Sequence, residues 1–162
     1  IDTPGAYPGV GAEERGQASA IANNLSEMIS LKVPIISIVL GEGGSGGALG
    51  IGVSDEIWML ENSIYSILSP EGFASILYKD ASYAKEAAVI MKLTANDLLN
   101  YKIIDKVIPE VAGGLHNDPN YSFQIIKEAL IQKISILMEK DINHILKLRY
   151  QKYRRVGMYE ES

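Results

Sequence analysis

The sequence predicts an α/β domain with a largely parallel sheet, and three observations carry that prediction. Short apolar runs rich in β-branched residues alternate along the chain with segments of helical periodicity. The run Val33-Pro34-Ile35-Ile36-Ser37-Ile38-Val39-Leu40 reads as a buried strand. It opens through Gly41-Glu42-Gly43-Gly44-Ser45-Gly46-Gly47-Ala48, with five glycines in seven positions, into residues 48–53, which can start a short helix. Backbone N–H groups at such a turn are unobstructed by side chains. They suit a bound anion or an oxyanion that develops during a reaction.

The 162 residues are 47% hydrophobic and 22% charged, enough for one domain with its own core. A net charge of -5 argues against a nucleic-acid footprint spread over the whole chain. With no cysteine in the sequence, disulfides, a thiol nucleophile and cysteine-ligated metal centres are excluded within it. No apolar stretch reaches the roughly 18 residues of a membrane span. The opening residues do not read as a signal peptide. Residue 1 is Ile, and Ile1-Asp2-Thr3-Pro4 reads as a strand end running into a turn. The chain is therefore expected to be the C-terminal portion of a longer protein.

The elements follow in order. Residues 2–11 form a loop, with two prolines and three glycines. Glu13 and Glu14 suit the first turn of a helix, and Ala18, Ile21, Ala22, Leu25, Met28 and Ile29 continue it at helical spacing. Pro34 fits near the first residues of the buried strand. Residues 56–60 and 63–68 are short strand candidates around a turn at Glu61-Asn62. Ser69 and Pro70 read as N-cap and first helical residue. Helical patterns cover residues 72–78 and 82–91, and Thr94 caps residues 95–101. Residues 102–109 read as a strand stopped by Pro109. Asp118-Pro119 is another cap pair, followed by an apolar stripe at Ile126, Ala129, Leu130, Ile134, Leu137 and Met138. Asp141 caps a second tail helix reaching Arg155, and Gly157 marks its stop.

Each motif has a bland reading beside the functional one. Gly41-x-Gly43-x-x-Gly46 satisfies a dinucleotide fingerprint, but the acid expected about 20 residues on has only Glu61 as a candidate, in a turn. A tight structural turn is the other bland reading; an oxyanion or anion site fits better. Asp2-Thr3-Pro4-Gly5 is similar to a GTPase switch, but no base-reading element follows it, so a rigid loop beside the glycine turn is expected. His116 lies in a glycine-rich loop, and His144 sits on a tail helix as a packing or surface residue. No Ser–His–Asp order and no metal spacing appears. Glu42 and Glu71 stand beside candidate site loops. The basic segment 147–155, with interleaved tyrosines, fits a partner-subunit interface better than nucleic acid or membrane.

Taken together, four strings carry a resemblance: Asp2-Thr3-Pro4-Gly5-Ala6-Tyr7-Pro8-Gly9-x-Gly11-Ala12-Glu13-Glu14-Arg15-Gly16-Gln17, then Gly41 to Ala48, then Tyr65-Ser66-x-x-Ser69-Pro70-Glu71-Gly72, then Ile104-Asp105-x-x-Ile108-Pro109-Glu110 with Gly113-Gly114-x-His116. In that order they resemble the carboxyltransferase alpha subunits of bacterial-type acetyl-CoA carboxylases. The resemblance implies a crotonase-type fold of stacked β-β-α layers. Residues 1–162 would be the C-terminal part of one domain, with a core over 1–118 and a helical interface tail over 119–157. It implies an α2β2 assembly that moves a carboxyl group from carboxybiotin to acetyl-CoA, giving malonyl-CoA for fatty acid synthesis. Biotin arrives on a biotin carboxyl carrier protein after a biotin carboxylase step, and zinc belongs to the beta subunit alone. The setting implied is bacterial cytoplasm or plastid stroma. On this reading Gly43 and Gly44 supply backbone N–H groups to an oxyanion hole, while Gly5, Ala6, Gly46 and Gly47 line the carboxybiotin pocket. A nucleotide-binding module on Gly41–Gly47, and a related decarboxylase or acyl-CoA carboxyltransferase, are the alternatives.

Overall fold

The computed structural model describes residues 1–157; positions 158–162 of the expected domain lie outside the described residues. The chain forms α1 (Val10–Glu14) and α2 (Gln17–Ser30), then β1 (Ile36–Val39), β2 (Glu42–Gly44) and α3 (Ser45–Gly52). The same order recurs in β3 (Glu56–Leu60), β4 (Ile64–Ser66) and α4 (Pro70–Leu77). The chain continues through α5 (Ala84–Met91), α6 (Ala95–Asn100), β5 (Lys106–Ile108), α7 (Pro119–Met138) and α8 (Ile142–Arg154).

A strand–strand–helix unit thus occurs twice. In each unit the first strand enters a parallel sheet ordered β1-β3-β5, and the second enters a parallel pair, β2-β4. Ile36 lies opposite Glu56, Trp58 opposite Lys106 and Gly43 opposite Tyr65. Residues 1–3 run alongside the first unit. Leu40 N–H donates to the Ile1 carbonyl at 2.9 Å, and Thr3 N–H donates to the Glu42 carbonyl at 2.8 Å. This is the strand end entering a turn that the sequence suggests.

β3 is the centre of the core. Its side chains alternate between two faces, and both are covered. Ile57 and Met59 pack with Val39, Leu98 and Ile104 on one side. Trp58 and Leu60 pack with Ile108 and, on α7, with Ile126, Ala129 and Leu130 on the other. Burying each such side chain contributes about 1.5–3 kcal/mol. Helix starts follow the predicted caps. Ser69 Oγ accepts from Gly72 N–H at 3.1 Å, Thr94 Oγ1 from Asp97 N–H at 3.4 Å and Asp118 Oδ1 from Tyr121 N–H at 3.0 Å. Asp141 Oδ1 accepts from Asn143 and His144 N–H at 3.0 and 3.1 Å.

Three expectations are corrected. The first helix is two helices, because Gly16 adopts a left-handed φ of 79° and interrupts it. The strand expected over 102–109 is confined to Lys106–Ile108; the Asp105 carboxylate accepts the Ile57 N–H at 2.7 Å and anchors the strand's entry. Part of the basic tail is spent inside the chain. Arg149 is 1% exposed, and its guanidinium holds Asp55 at 2.8 and 2.9 Å. It also donates to the carbonyls of Met28, Ile29, Leu31 and Val33. One turn on, Lys152 reaches Asp105 and the Asp55 carbonyl, and Tyr153 Oη accepts from Ser54 N–H at 2.8 Å. α8 therefore clamps the strand entries of β3 and β5, while Lys147, Tyr150, Arg154 and Arg155 stay exposed.

Candidate functional site

At the opposite end of the strands two stretches of backbone lie directly on one another. A Cβ on Gly44 would stand 2.0 Å from the Pro4 carbonyl oxygen. One on Gly47 would stand 2.7 Å from the Gly5 carbonyl carbon and 2.8 Å from Ala6 N. Gly5 has a φ of 135°, and its amide is held by Thr3 Oγ1 at 3.2 Å. Residues 4–6 can seat on Gly44 and Gly47 only because these two carry no side chain. The fold thus brings together the residues that the sequence singles out: Gly5 and Ala6 from one loop, and Gly43, Gly44, Gly46 and Gly47 from the other.

Their amides divide into two groups. Gly44 N–H donates to the Thr3 carbonyl at 2.8 Å, so it is committed to the sheet rather than to a ligand. Gly43 stands mid-strand between Thr3 and Tyr65. With Ile64 N–H on the Gly41 carbonyl, a parallel ladder of this register turns the Gly43 amide toward the Ile64 carbonyl. The expected donors at Gly43 and Gly44 are therefore occupied, because the glycine segment is itself a short strand, β2, before it is a turn. The open amides lie one step later. α3 starts at Ser45 with no side-chain cap on its first turn, so its first N–H groups, including those of Gly46 and Gly47, lack intrahelical acceptors.

A cavity of about 570 Å³ opens beside that helix start, between α3, β4 and the α4–α5 pair. Ser45, Gly46, Tyr65, Phe73 and Met91 are among its lining residues. Burial raises the Tyr65 phenol above its ordinary value, and nearby Tyr153 adds to the rise. A second cavity, about 590 Å³, is lined by Asp2, Gly41, Asn62, Glu110, Gly114 and His116. His116 thus stands apart from the glycine contact. The Glu110 carboxylate is a structural hub, accepting from Asn62 N–H at 2.8 Å and from Leu115 N–H at 2.7 Å. Glu42, Glu71 and His144 are exposed. Among the described residues no group of His, Asp or Glu is placed to hold a metal ion, and no helix is long and apolar enough to cross a membrane.

A model of the acetyl co-enzyme A carboxylase carboxyltransferase-like family matches residues 1–157. The chain belongs to this family. It is 57% identical over all its residues to an acetyl-coenzyme A carboxylase carboxyl transferase subunit alpha of Clostridium acetobutylicum, and spans 59% of that relative's length. It is 58% identical to the carboxyl transferase subunits beta/alpha of Clostridium tetani, of which it spans 28%. Among solved structures, a Pseudomonas malonate decarboxylase hetero-tetramer in complex with coenzyme A aligns with a TM-score of 0.76 at 14% identity, covering 96% of this chain and 61% of that one. An enoyl-CoA hydratase from Mycobacterium avium aligns at 0.51 and 16% identity, covering 87% and 57%. These likenesses establish the crotonase-type fold for this carboxyltransferase-family chain, and the repeated strand–strand–helix unit is its visible form.

The dinucleotide alternative is not favoured. Gly41 sits at a corner between two sheets, and Glu61 Oε2 accepts from Glu110 N–H at 3.1 Å as part of a turn. Arg149 is a structural residue that the sequence pattern alone does not single out. Its one sign there is that Ile145, Arg149, Lys152 and Tyr153 fall on one face of a helix.

Proposed function

We propose that the protein containing this chain is the alpha component of an acetyl-CoA carboxylase carboxyltransferase. It carries a carboxyl group from carboxybiotin to acetyl-CoA and forms malonyl-CoA. The observation that carries this reading is the family match across residues 1–157, which includes every residue of the glycine contact. In the reaction the N–C bond of the biotin substrate breaks, and its electron pair stays on the ureido nitrogen and oxygen. The acetyl methyl group gives its proton to that nitrogen, and the resulting carbanion closes on the released CO2. The balance is carboxybiotin plus acetyl-CoA to biotin plus malonyl-CoA.

This chain's part is electrostatic. Negative charge grows on the ureido oxygen, and preorganised N–H groups stabilise it, at about 3–4 kcal/mol per donor in comparable sites. The open first-turn amides of α3, at Gly46 and Gly47, are suited to this role. Gly43 and Gly44 support it by holding residues 3–5 in place, and Gly5 and Ala6 form the facing wall. The fused beta/alpha relative of Clostridium tetani supports a beta subunit as partner. An α2β2 assembly, zinc confined to that partner, and delivery of biotin on a carrier protein after a carboxylase step complete the proposal.

The test is malonyl-CoA-dependent carboxylation of free biotin by the full-length chain mixed with its beta partner. Turnover only when both are present supports the reading. No turnover from a formed complex with a metal-loaded partner sinks it.

A further inference from the structure

We propose that the Ser45 hydroxyl is a catalytic group that donates a hydrogen bond to the ureido oxygen as charge develops there. The inference rests on the carboxyltransfer reading and goes beyond its backbone donors.

The first observation is conformational. Among the described residues four non-glycine residues have a positive φ: Ser45 at 53°, Lys79 at 61°, Lys92 at 52° and Lys102 at 59°. The three lysines stand at or just beyond the C-terminal ends of α4, α5 and α6, where a left-handed residue is the ordinary way to close a helix. Ser45 instead opens one, and no capping rule asks for that conformation at a helix start. It stands between Gly44 and Gly46, in a segment where glycine would satisfy the backbone without steric cost. A side chain is retained where the backbone disfavours one.

The second observation is that the surroundings make room for it. A Cβ on Gly5 would come within 3.1 Å of the Ser45 Cβ, so the bare Gly5 accommodates the serine side chain. The third is its placement: Ser45 lines the 570 Å³ cavity together with Gly46, whose amide is open. Nearby polar groups are engaged elsewhere. Thr3 Oγ1 accepts from Gly5 N–H at 3.2 Å, and Asn24 donates to the Gly50 carbonyl; neither bond uses the Ser45 hydroxyl. A hydroxyl held beside open amides adds a donor to the same developing charge.

The experiment uses the full-length chain assembled with its beta partner, and measures steady-state carboxylation of free biotin for wild type, Ser45→Ala and Ser45→Gly. Loss of one charge-assisted donor lowers kcat by about tenfold to a hundredfold in both variants, with KM for biotin within about twofold. The glycine variant melts at or slightly above the wild-type temperature, because the left-handed backbone is relaxed. Wild-type kcat in Ser45→Ala overturns the inference alone. So does a loss confined to Ser45→Gly, which would assign the effect to backbone stiffness. Unfolding of both variants would make the side chain structural and overturn it too. An inactive wild-type complex overturns the carboxyltransfer reading, and the inference with it.

Discussion

The two ends of the parallel strands are built by opposite means. At the entries of β3 and β5, the carboxylates of Asp55 and Asp105 each capture a neighbouring N–H at 2.7 Å, that of Ile35 just before β1 and that of Ile57 on β3. α8 then presses Arg149 and Lys152 onto those carboxylates. That end is held by two carboxylate–cation pairs, of which Asp55–Arg149 is buried. At the other end, residues 4–6 meet Gly44 and Gly47 through bare backbone, and the first turn of α3, with amides that lack intrahelical acceptors, lies beside a cavity. Rigidity comes from charge pairing at one end and from missing side chains at the other. On the proposed function, the second arrangement is the one that presents hydrogen-bond donors to the substrate.

Several substitutions break that comparison by different amounts. Gly44→Val has the largest expected effect. Its Cβ would overlap the Pro4 carbonyl, displacing the facing loop, and carboxylation by the assembled complex should fall more than a hundredfold, roughly the cost of misplacing reacting groups by an ångström. Gly46→Ala is the control in the same segment. Its Cβ meets only Ile21 Cδ1 at 3.8 Å, so denaturant unfolding should show a change within about 0.5 kcal/mol. If it destabilises as much as Gly44→Val, the close-contact account fails.

At the clamped end, Arg149→Ala leaves Asp55 without its cationic partner and removes the guanidinium donors from the carbonyls of Ile29, Leu31 and Val33. Urea unfolding of the full-length chain should register a loss of about 3–5 kcal/mol. Tyr153→Phe removes one hydrogen bond to Ser54 and should cost about 1 kcal/mol. The smallest effect concerns pH. Burial raises the phenols of Tyr65 and Tyr153 above the ordinary 10.0. Their contribution to stability is complete below pH 10.0 and is lost as pH rises through the raised values. Melting temperature should therefore decline above about pH 10, and less steeply in Tyr153→Phe.

Much of the fold was legible because it rests on local chemistry. Ser69, Thr94, Asp118 and Asp141 cap helices as their sequence contexts suggest, since a cap is decided within three residues. β3 is read at its observed bounds, Glu56–Leu60, because an apolar run between turn signals is also local. The glycine contact was legible in membership and not in detail. Gly5 and Gly47 are visible as glycines, but their contact joins residues about 40 positions apart. The role of the Gly44 amide depends on Thr3, which pairs with β2 only in the folded chain. Arg149 was misassigned for the same reason. Its partners lie between Met28 and Asp55, roughly a hundred residues away, and a basic segment looks the same in sequence whether it faces another chain or its own.

Trp58 gives the molecule an internal reporter. It is the only tryptophan in the chain and is 1% exposed. It stands on the central strand opposite Ile38 of β1 and Lys106 of β5, with the Lys106 ammonium 5.0 Å from the ring centroid. Its fluorescence in the native chain should be blue-shifted and poorly accessible to soluble quenchers. Loosening of the clamp at Asp55 and Asp105, three residues before Trp58 and directly before Lys106, should shift that emission to the red even while the glycine contact at the far end remains closed. One optical signal therefore distinguishes opening at the two ends of the sheet.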